Sequence, residues 1–236
     1  MKRQLILLAI VIGMAGCAKQ ALAPTPAGAA APEGAVLMES SGGKQAAAIG
    51  TPLEQPVMVQ LNDAKGAAAA GVGILLSGPT GAKFDPPSGV TDANGQFTSQ
   101  VAAPGTSGHF QIVAATADGK ARLKIDGIAL GYEQGLGRQL STQYCARCHD
   151  AESTPERVSN MDNLDPKPHA FSEGDTYNKI SNADLTSLIS HGGAALNKSA
   201  SMPPFGYTLT PAEIQALISY IRAIADPPYE RVYANK

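Results

Sequence analysis

The chain has 236 residues, 18 basic and 20 acidic side chains, a formal net charge of −2 and no tryptophan. That length leaves room for two modest domains, and the near-neutral charge argues against a nucleic-acid partner, which calls for a basic surface. With aromatics at 5%, the cores must be built mainly from small aliphatic side chains.

Lys2 and Arg3 precede an apolar run from Leu5 to Met14, and Ala15-Gly16 stand directly before Cys17. A basic start, a short apolar stretch and small residues read as an export signal over residues 1–16, too short to span a bilayer as a helix. Small residues at the two positions before a cysteine resemble the lipobox of bacterial lipoproteins. The resemblance implies lipidation of Cys17 and a membrane anchor without a spanning helix, since several acyl chains at about 0.8 kcal/mol per buried CH₂ hold a protein on a bilayer. Met14 departs from the family's usual leucine, which keeps ordinary signal cleavage as the alternative. Ala18 stands where an inner-membrane retention signal has aspartate, so the expected location is the outer membrane of the cell envelope, facing the periplasm or the outside. Residues 17–34, rich in Ala and Pro, lack the large apolar groups needed for a core and read as a tether.

Residues 35–129 alternate with a period of two. Val57, Val59 and Leu61 share one strand face, as do Val72, Ile74 and Leu76, then Phe97, Ser99 and Val101, then Phe110, Ile112 and Ala114, then Leu123 and Ile125. Turn signals lie between them, among them Asn62 to Gly66, Asp92-Ala93-Asn94-Gly95 and Asp118-Gly119. The pattern predicts an all-β antiparallel sandwich. The segments Gly50-Thr51-Pro52-Leu53, Val57-Met58-Val59, Gly71-Val72-Gly73-Ile74, Phe84-Asp85-Pro86 and Val90 to Gly95 resemble the immunoglobulin-like domains of invasin- and intimin-type surface proteins. Carboxypeptidase regulatory-like domains share the Thr-Asp-x-x-Gly turn and are the alternative. Neither resemblance brings catalytic residues, so this module reads as a spacer or docking surface. His109 has no acidic or thiol companions at ligand spacing and reads as a strand-surface residue.

From residue 130 to 236 the period becomes helical. Gly135, Gly137, Leu140 and Tyr144 lead along a short helix into Cys145-Ala146-Arg147-Cys148-His149. Two thiols three positions apart followed by an imidazole form an attachment site for one covalent haem c, each thiol adding to a vinyl group and the imidazole reaching the iron as proximal ligand. A redox Cys-x-x-Cys or half of a zinc site is the other reading, but no second cysteine pair and no surrounding βαβ pattern accompany it. With Cys17 taken by lipid and Cys145 and Cys148 by haem, no cysteine remains for a disulfide. Ser181 and Asp184 open a further helix through Leu185, Leu188 and Ile189, closed by Gly192-Gly193. Thr210-Pro211-Ala212-Glu213 is a capping box with Pro at the first helical position, followed by the apolar stripe Ile214, Leu217, Ile218, Ile221 and Ile224. That helix should stop near Ala225, since Asp226 precedes Pro227-Pro228.

Gly137, the Cys145-to-His149 motif, Met202-Pro203 and Tyr220 resemble monohaem class I cytochromes c, which implies an all-α haem domain. It further implies that Gly137 lets the first helix cross the last closely, beside Tyr220, and that Met202 is the sixth ligand. The chain departs from that pattern after His149. There the carbonyl of Pro166 or Pro168 is expected to accept the Nδ1 proton of His149. Met202, stiffened by Pro203-Pro204, competes for the distal position with His169 and His191, while Met161 reads as filler. The expected activity is one-electron transfer between redox protein partners, with no catalytic residues. A haem sensor, a haem subunit of a larger oxidoreductase and an adhesion or assembly protein are the alternatives.

Overall fold

The computed structural model describes residues 28–149 and 161–229. The expected export signal and Cys17 lie outside the described residues. Nine strands come first, β1 Val36–Ser41, β2 Ala46–Ala48, β3 Val57–Asn62, β4 Gly73–Ser77, β5 Lys83–Asp85, β6 Ser88–Val90, β7 Gln96–Ala102, β8 Gly108–Thr116 and β9 Arg122–Leu130. They form one sheet in the order β1-β3-β7-β5 and a second in the order β2-β9-β8-β4-β6. Every pairing is antiparallel except that of β2 with β9.

The alternating faces read from the sequence turn inward and meet between the sheets. Val57, Val59 and Leu61 of β3 are buried against Ile74 of β4, Val101 of β7, Ile112 of β8 and Ile125 of β9 in one apolar core. Because side chains alternate across a strand, a one-residue slip would expose this whole set, which fixes the register. The turns are held by the acidic residues that mark them in the sequence. Asp92 Oδ1 accepts from the amides of Asn94 and Gln96 at 2.8 Å each. Gly95 in that turn has φ +76°, and a Cβ there would lie 2.5 Å from the Leu61 carbonyl oxygen.

Residues 29–31, assigned to the tether on composition, are docked on the sandwich. The Ala29 amide donates to the Gly71 carbonyl at 2.8 Å, the Ala31 amide donates to Asp118 Oδ2 at 3.0 Å, and Ala31 is buried. Alanines held by backbone bonds leave no hydropathy pattern, so this docking was invisible in the sequence.

The helical part follows with a single residue, Gly131, between β9 and α1 Tyr132–Tyr144. Then come α2 Gly174–Tyr177, α3 Asn182–His191 and α4 Pro211–Ile224. Patterning predicts three of these helices; α2, with four residues, is too short to show a helical period. The Thr210–Glu213 capping box is present at the start of α4, and Ile214, Leu217, Ile218, Ile221 and Ile224 are all buried. At Gly137 a Cβ would come within 2.0 Å of the Ala216 carbonyl oxygen and 2.7 Å of the Tyr220 Cβ. Only glycine lets α1 approach α4 this closely, and Tyr220 is fully buried beside the crossing.

The second core is shared across the junction. Ala46 of β2 and Leu130 of β9 belong to the cluster that contains Leu140, Leu185, Leu217 and Ile221. Lys44 pairs with Asp226 at 3.3 Å and Arg138 with Glu54 at 3.5 Å across the same boundary. Such exposed pairs contribute little, so the junction rests on its apolar contacts.

Candidate haem site

The Cys145–His149 motif begins where α1 ends. The Cys145 amide still donates to the Ser141 carbonyl at 2.9 Å, while the Cys145 carbonyl accepts from the amides of Cys148 at 3.0 Å and His149 at 2.8 Å. This tight turn brings both thiols and the imidazole to one wall of a cavity of about 730 Å³. Met202 lies on the same lining, together with Leu185, Ile189, Leu217 and Ile221. The volume is within the range of about 300–1,000 Å³ usual for ligand pockets.

The cavity's residues fit a haem c. Two half-buried, unpaired thiols, an imidazole and a thioether face a largely aliphatic space, the donor set of a c-type site. Burial, with a smaller contribution from the neighbouring Cys148, pushes the Cys145 thiol up to about 12. A redox-active Cys-x-x-Cys depends on a lowered thiol pKa, so this environment opposes the thioredoxin-like reading. Among the described residues no group of three or more His, Cys, Asp or Glu side chains could hold a metal ion, which leaves the half-zinc-site reading without partners.

The His149 ring is fixed on three sides. Its Nδ1 lies 2.8 Å from the His169 carbonyl oxygen, its face stacks on Phe171 with centroids 4.8 Å apart and planes 13° apart, and the Tyr177 hydroxyl stands 3.4 Å from Nδ1. Burial lowers the pKa of His149, so the neutral ring donates from Nδ1 and leaves the Nε2 lone pair as the ligating atom. The accepting carbonyl is that of His169, not of Pro166 or Pro168, although both prolines line the cavity. His169 is the better-fixed neighbour. Glu173 grips it from outside, accepting from the His169 ring at 2.7 Å and from the Ala170 amide at 3.0 Å, while the Tyr177 hydroxyl donates to its carbonyl at 3.1 Å.

This proximal segment is in turn pinned by the chain that leaves α4. The Gly174 amide donates to the Asp226 carbonyl at 3.0 Å and the Asp226 amide to the Ser172 carbonyl at 2.8 Å. Phe171 and Tyr177 were not among the residues singled out from the sequence. An isolated aromatic pair carries no periodic signal, and the two residues lie 22 and 28 positions beyond His149 in the sequence.

On the other side the Met202 loop is clasped to the end of α3. Gly193 donates to the Met202 carbonyl at 3.0 Å, Phe205 to Ile189 at 2.9 Å and Gly206 to Ser190 at 3.0 Å. Gly192 has φ +83°, and a Cβ on Gly193 would meet the Ser199 carbonyl oxygen at 2.0 Å, so the Gly192-Gly193 pair closes α3 and admits the loop. Tyr144 meets Phe205 edge-to-face at 6.1 Å.

The competing distal residues are not brought to this position. His169 lines the cavity, but its carbonyl faces Nδ1 of His149 and its ring is engaged by Glu173 at 2.7 Å. His191 is exposed at the end of α3, with Nδ1 3.1 Å from its own helix carbonyl at Ser187, and neither His191 nor Met161 lines the cavity. His109 is exposed on β8, far in sequence from this site, and borders a separate cleft between the sandwich and α4. No helix among the described residues is long and apolar enough to cross a membrane.

Residues 134–221 match the family described as cytochrome c oxidase, cbb3-type, subunit III, a stretch that contains the Cys145–His149 motif and Met202. No curated protein matches the chain. Among solved structures, the Yersinia pseudotuberculosis adhesin InvE is similar at 18% identity and a TM-score of 0.34, covering 42% of this chain and 32% of that one. The D00-D0 domain of intimin is similar at 19% identity and TM-score 0.33, covering 44% and 51%. The Escherichia coli adhesin FdeC follows at 15% identity and TM-score 0.34, covering 44% and 32%. The chain thus spans about a third to a half of the length of these structures. The architecture is a two-sheet β-sandwich followed by a helical domain, and that domain contains the stretch that matches the cytochrome family.

Proposed function

We propose that the chain is a membrane-anchored one-electron carrier of the bacterial cell envelope. The observation that carries this reading is the meeting of Cys145, Cys148, His149 and Met202 on one aliphatic cavity. Haem c bound there supplies a one-electron Fe(III)/Fe(II) couple. Cys145 and Cys148 would hold it covalently, with Nε2 of His149 and the thioether of Met202 as its ligands. Leu185, Ile189, Leu217 and Ile221 exclude water, which favours the less charged reduced form. With His149 and Met202 both serving as ligands, no coordination site would remain for a substrate. Electrons pass to and from redox proteins, and the sandwich serves as a spacer or docking module. Cys17, lipidated, anchors the protein to the membrane, with the outer membrane as its place.

The test is an optical redox titration of the haem-loaded chain with carbon monoxide added at the reduced end. A single one-electron wave with no carbon monoxide shift is expected, and Met202→Ala should create the shift. A wild-type protein that binds carbon monoxide overturns the carrier reading in favour of a sensor or enzyme. The match to an oxidase subunit family favours a second reading, in which the chain delivers electrons as a subunit of a larger oxidoreductase. Purification from membranes would then bring down dioxygen-consuming activity in fixed stoichiometry. Cys17→Ser should release the protein from the membrane fraction.

A further inference from the structure

The structure assigns Tyr177 a role in setting the reduction potential: its hydroxyl donates to the same His169 carbonyl that accepts the His149 N–H, and so limits the electron density that the imidazole passes to its metal. The inference rests on the reading that His149 ligates haem c, and it concerns a residue outside the ligand set.

A carbonyl oxygen that receives two donors is a weaker acceptor for each. The Tyr177 hydroxyl lies 3.1 Å from the His169 oxygen and the His149 Nδ1 lies 2.8 Å from it, so the two donors share one acceptor. The direct contact of the hydroxyl with Nδ1 is longer, 3.4 Å, and at that length adds little as an alternative acceptor. Hydrogen bonding at the outer nitrogen of a ligating histidine sets its basicity, and basicity at the axial ligand sets the potential. A tighter Nδ1–H bond makes the ring a stronger electron donor and stabilises the oxidised metal. By drawing on the carbonyl, Tyr177 loosens that bond and favours the reduced metal.

Tyr177 is built to hold this position. It is buried, its ring meets Phe171 edge-to-face at 5.5 Å, and its own carbonyl accepts from Arg222 of α4. Arg222 also donates to the Ile180 carbonyl and to Asn182 Oδ1, and its guanidinium lies 4.2 Å from the Tyr229 ring centroid. The last helix therefore places Tyr177, Tyr177 places the His169 carbonyl, and that carbonyl orients His149.

The experiment is potentiometric titration of the haem-loaded full chain and of Tyr177→Phe. The variant should shift the equilibrium about threefold to tenfold toward the oxidised form, a potential lower by about 30–60 mV at 59 mV per decade. The absorption band of the methionine–iron bond should persist, showing that the ligands are unchanged. An unshifted or raised potential with that band intact overturns the assignment. Should Tyr177→Phe fail to accumulate, difluorotyrosine placed at position 177, a stronger donor, must raise the potential; no rise overturns the assignment. A wild-type chain that takes up no haem would instead remove the reading beneath it, so the two failures are distinct.

Discussion

The sandwich and the helical domain solve the same shortage of large side chains in different ways. Between the sheets, Leu61, Ile74, Ile112 and Ile125 leave no surface accessible, and the core closes on the chain's own residues. Among the helices, Leu185, Leu217 and Ile221 are just as well buried, yet they border a cavity of about 730 Å³. A cavity of that size gives room for a large apolar group against these side chains. The first domain is self-sufficient; on the proposed function the second would complete its core with a guest, the haem.

The sharpest break of this contrast removes the guest. Replacing Cys145 and Cys148 by serine should abolish covalent haem and cost the helical domain more than about 5 kcal/mol, the scale of a whole domain's stability. Hydrogen exchange should then show α1, α3 and α4 unprotected while β3, β7 and β8 remain protected. Ile112→Ala reverses the experiment. It should cost the sandwich about 4 kcal/mol in a denaturant melt and leave the haem spectrum unchanged.

Gly137→Ala tests the helix crossing that frames the cavity. Its Cβ would collide with the backbone oxygen of Ala216, and overpacking of this kind should cost about 3 kcal/mol, read as a lowered melting midpoint of the helical domain alone.

Acid gives the mildest probe, because each domain has a capping or turn carboxylate held low. The Thr210 amide and hydroxyl lower the pKa of Glu213 in the helical domain, and the Thr116 hydroxyl, with the Lys120 amide next, lowers that of Asp118 in the sandwich. Folding therefore releases protons from both groups. Their stabilisation is present above their unfolded values, about 4.3 for Glu and 3.9 for Asp, and is lost as the pH falls through the lower folded values. Glu213→Gln should flatten the acid limb for the helical domain and Asp118→Asn that for the sandwich, each followed by circular dichroism against pH.

What could be read in the sequence was local. The alternation of Val57, Val59 and Leu61, the Thr210–Glu213 box and the stripe from Ile214 to Ile224 each declare themselves within a few residues. The Cys145–His149 motif does so too, since its chemistry is written in adjacency. The proximal wall was hidden because it is assembled across distance. Phe171, Tyr177 and the His169 carbonyl meet His149 from 20 to 28 positions away in the sequence, and the expectation of Pro166 or Pro168 missed the grip of Glu173 that fixes His169 instead. Strand β2 was hidden for another reason. Three alanines carry too little contrast to mark a strand, although Ala46 packs into the helical core.

The junction at Gly131 gives the molecule a direction. One residue separates the last ladder bond of β9 from the first turn of α1, and the Gln134 side chain accepts from the Gly131 amide at 2.8 Å to seal the step. A hinge at this place would let the helical domain swivel and offer the edge of the proposed haem to any approach. A one-residue joint ties the bearing of that edge to the sandwich, so that, on the proposed function, whatever grips the sandwich would also aim the path by which electrons leave.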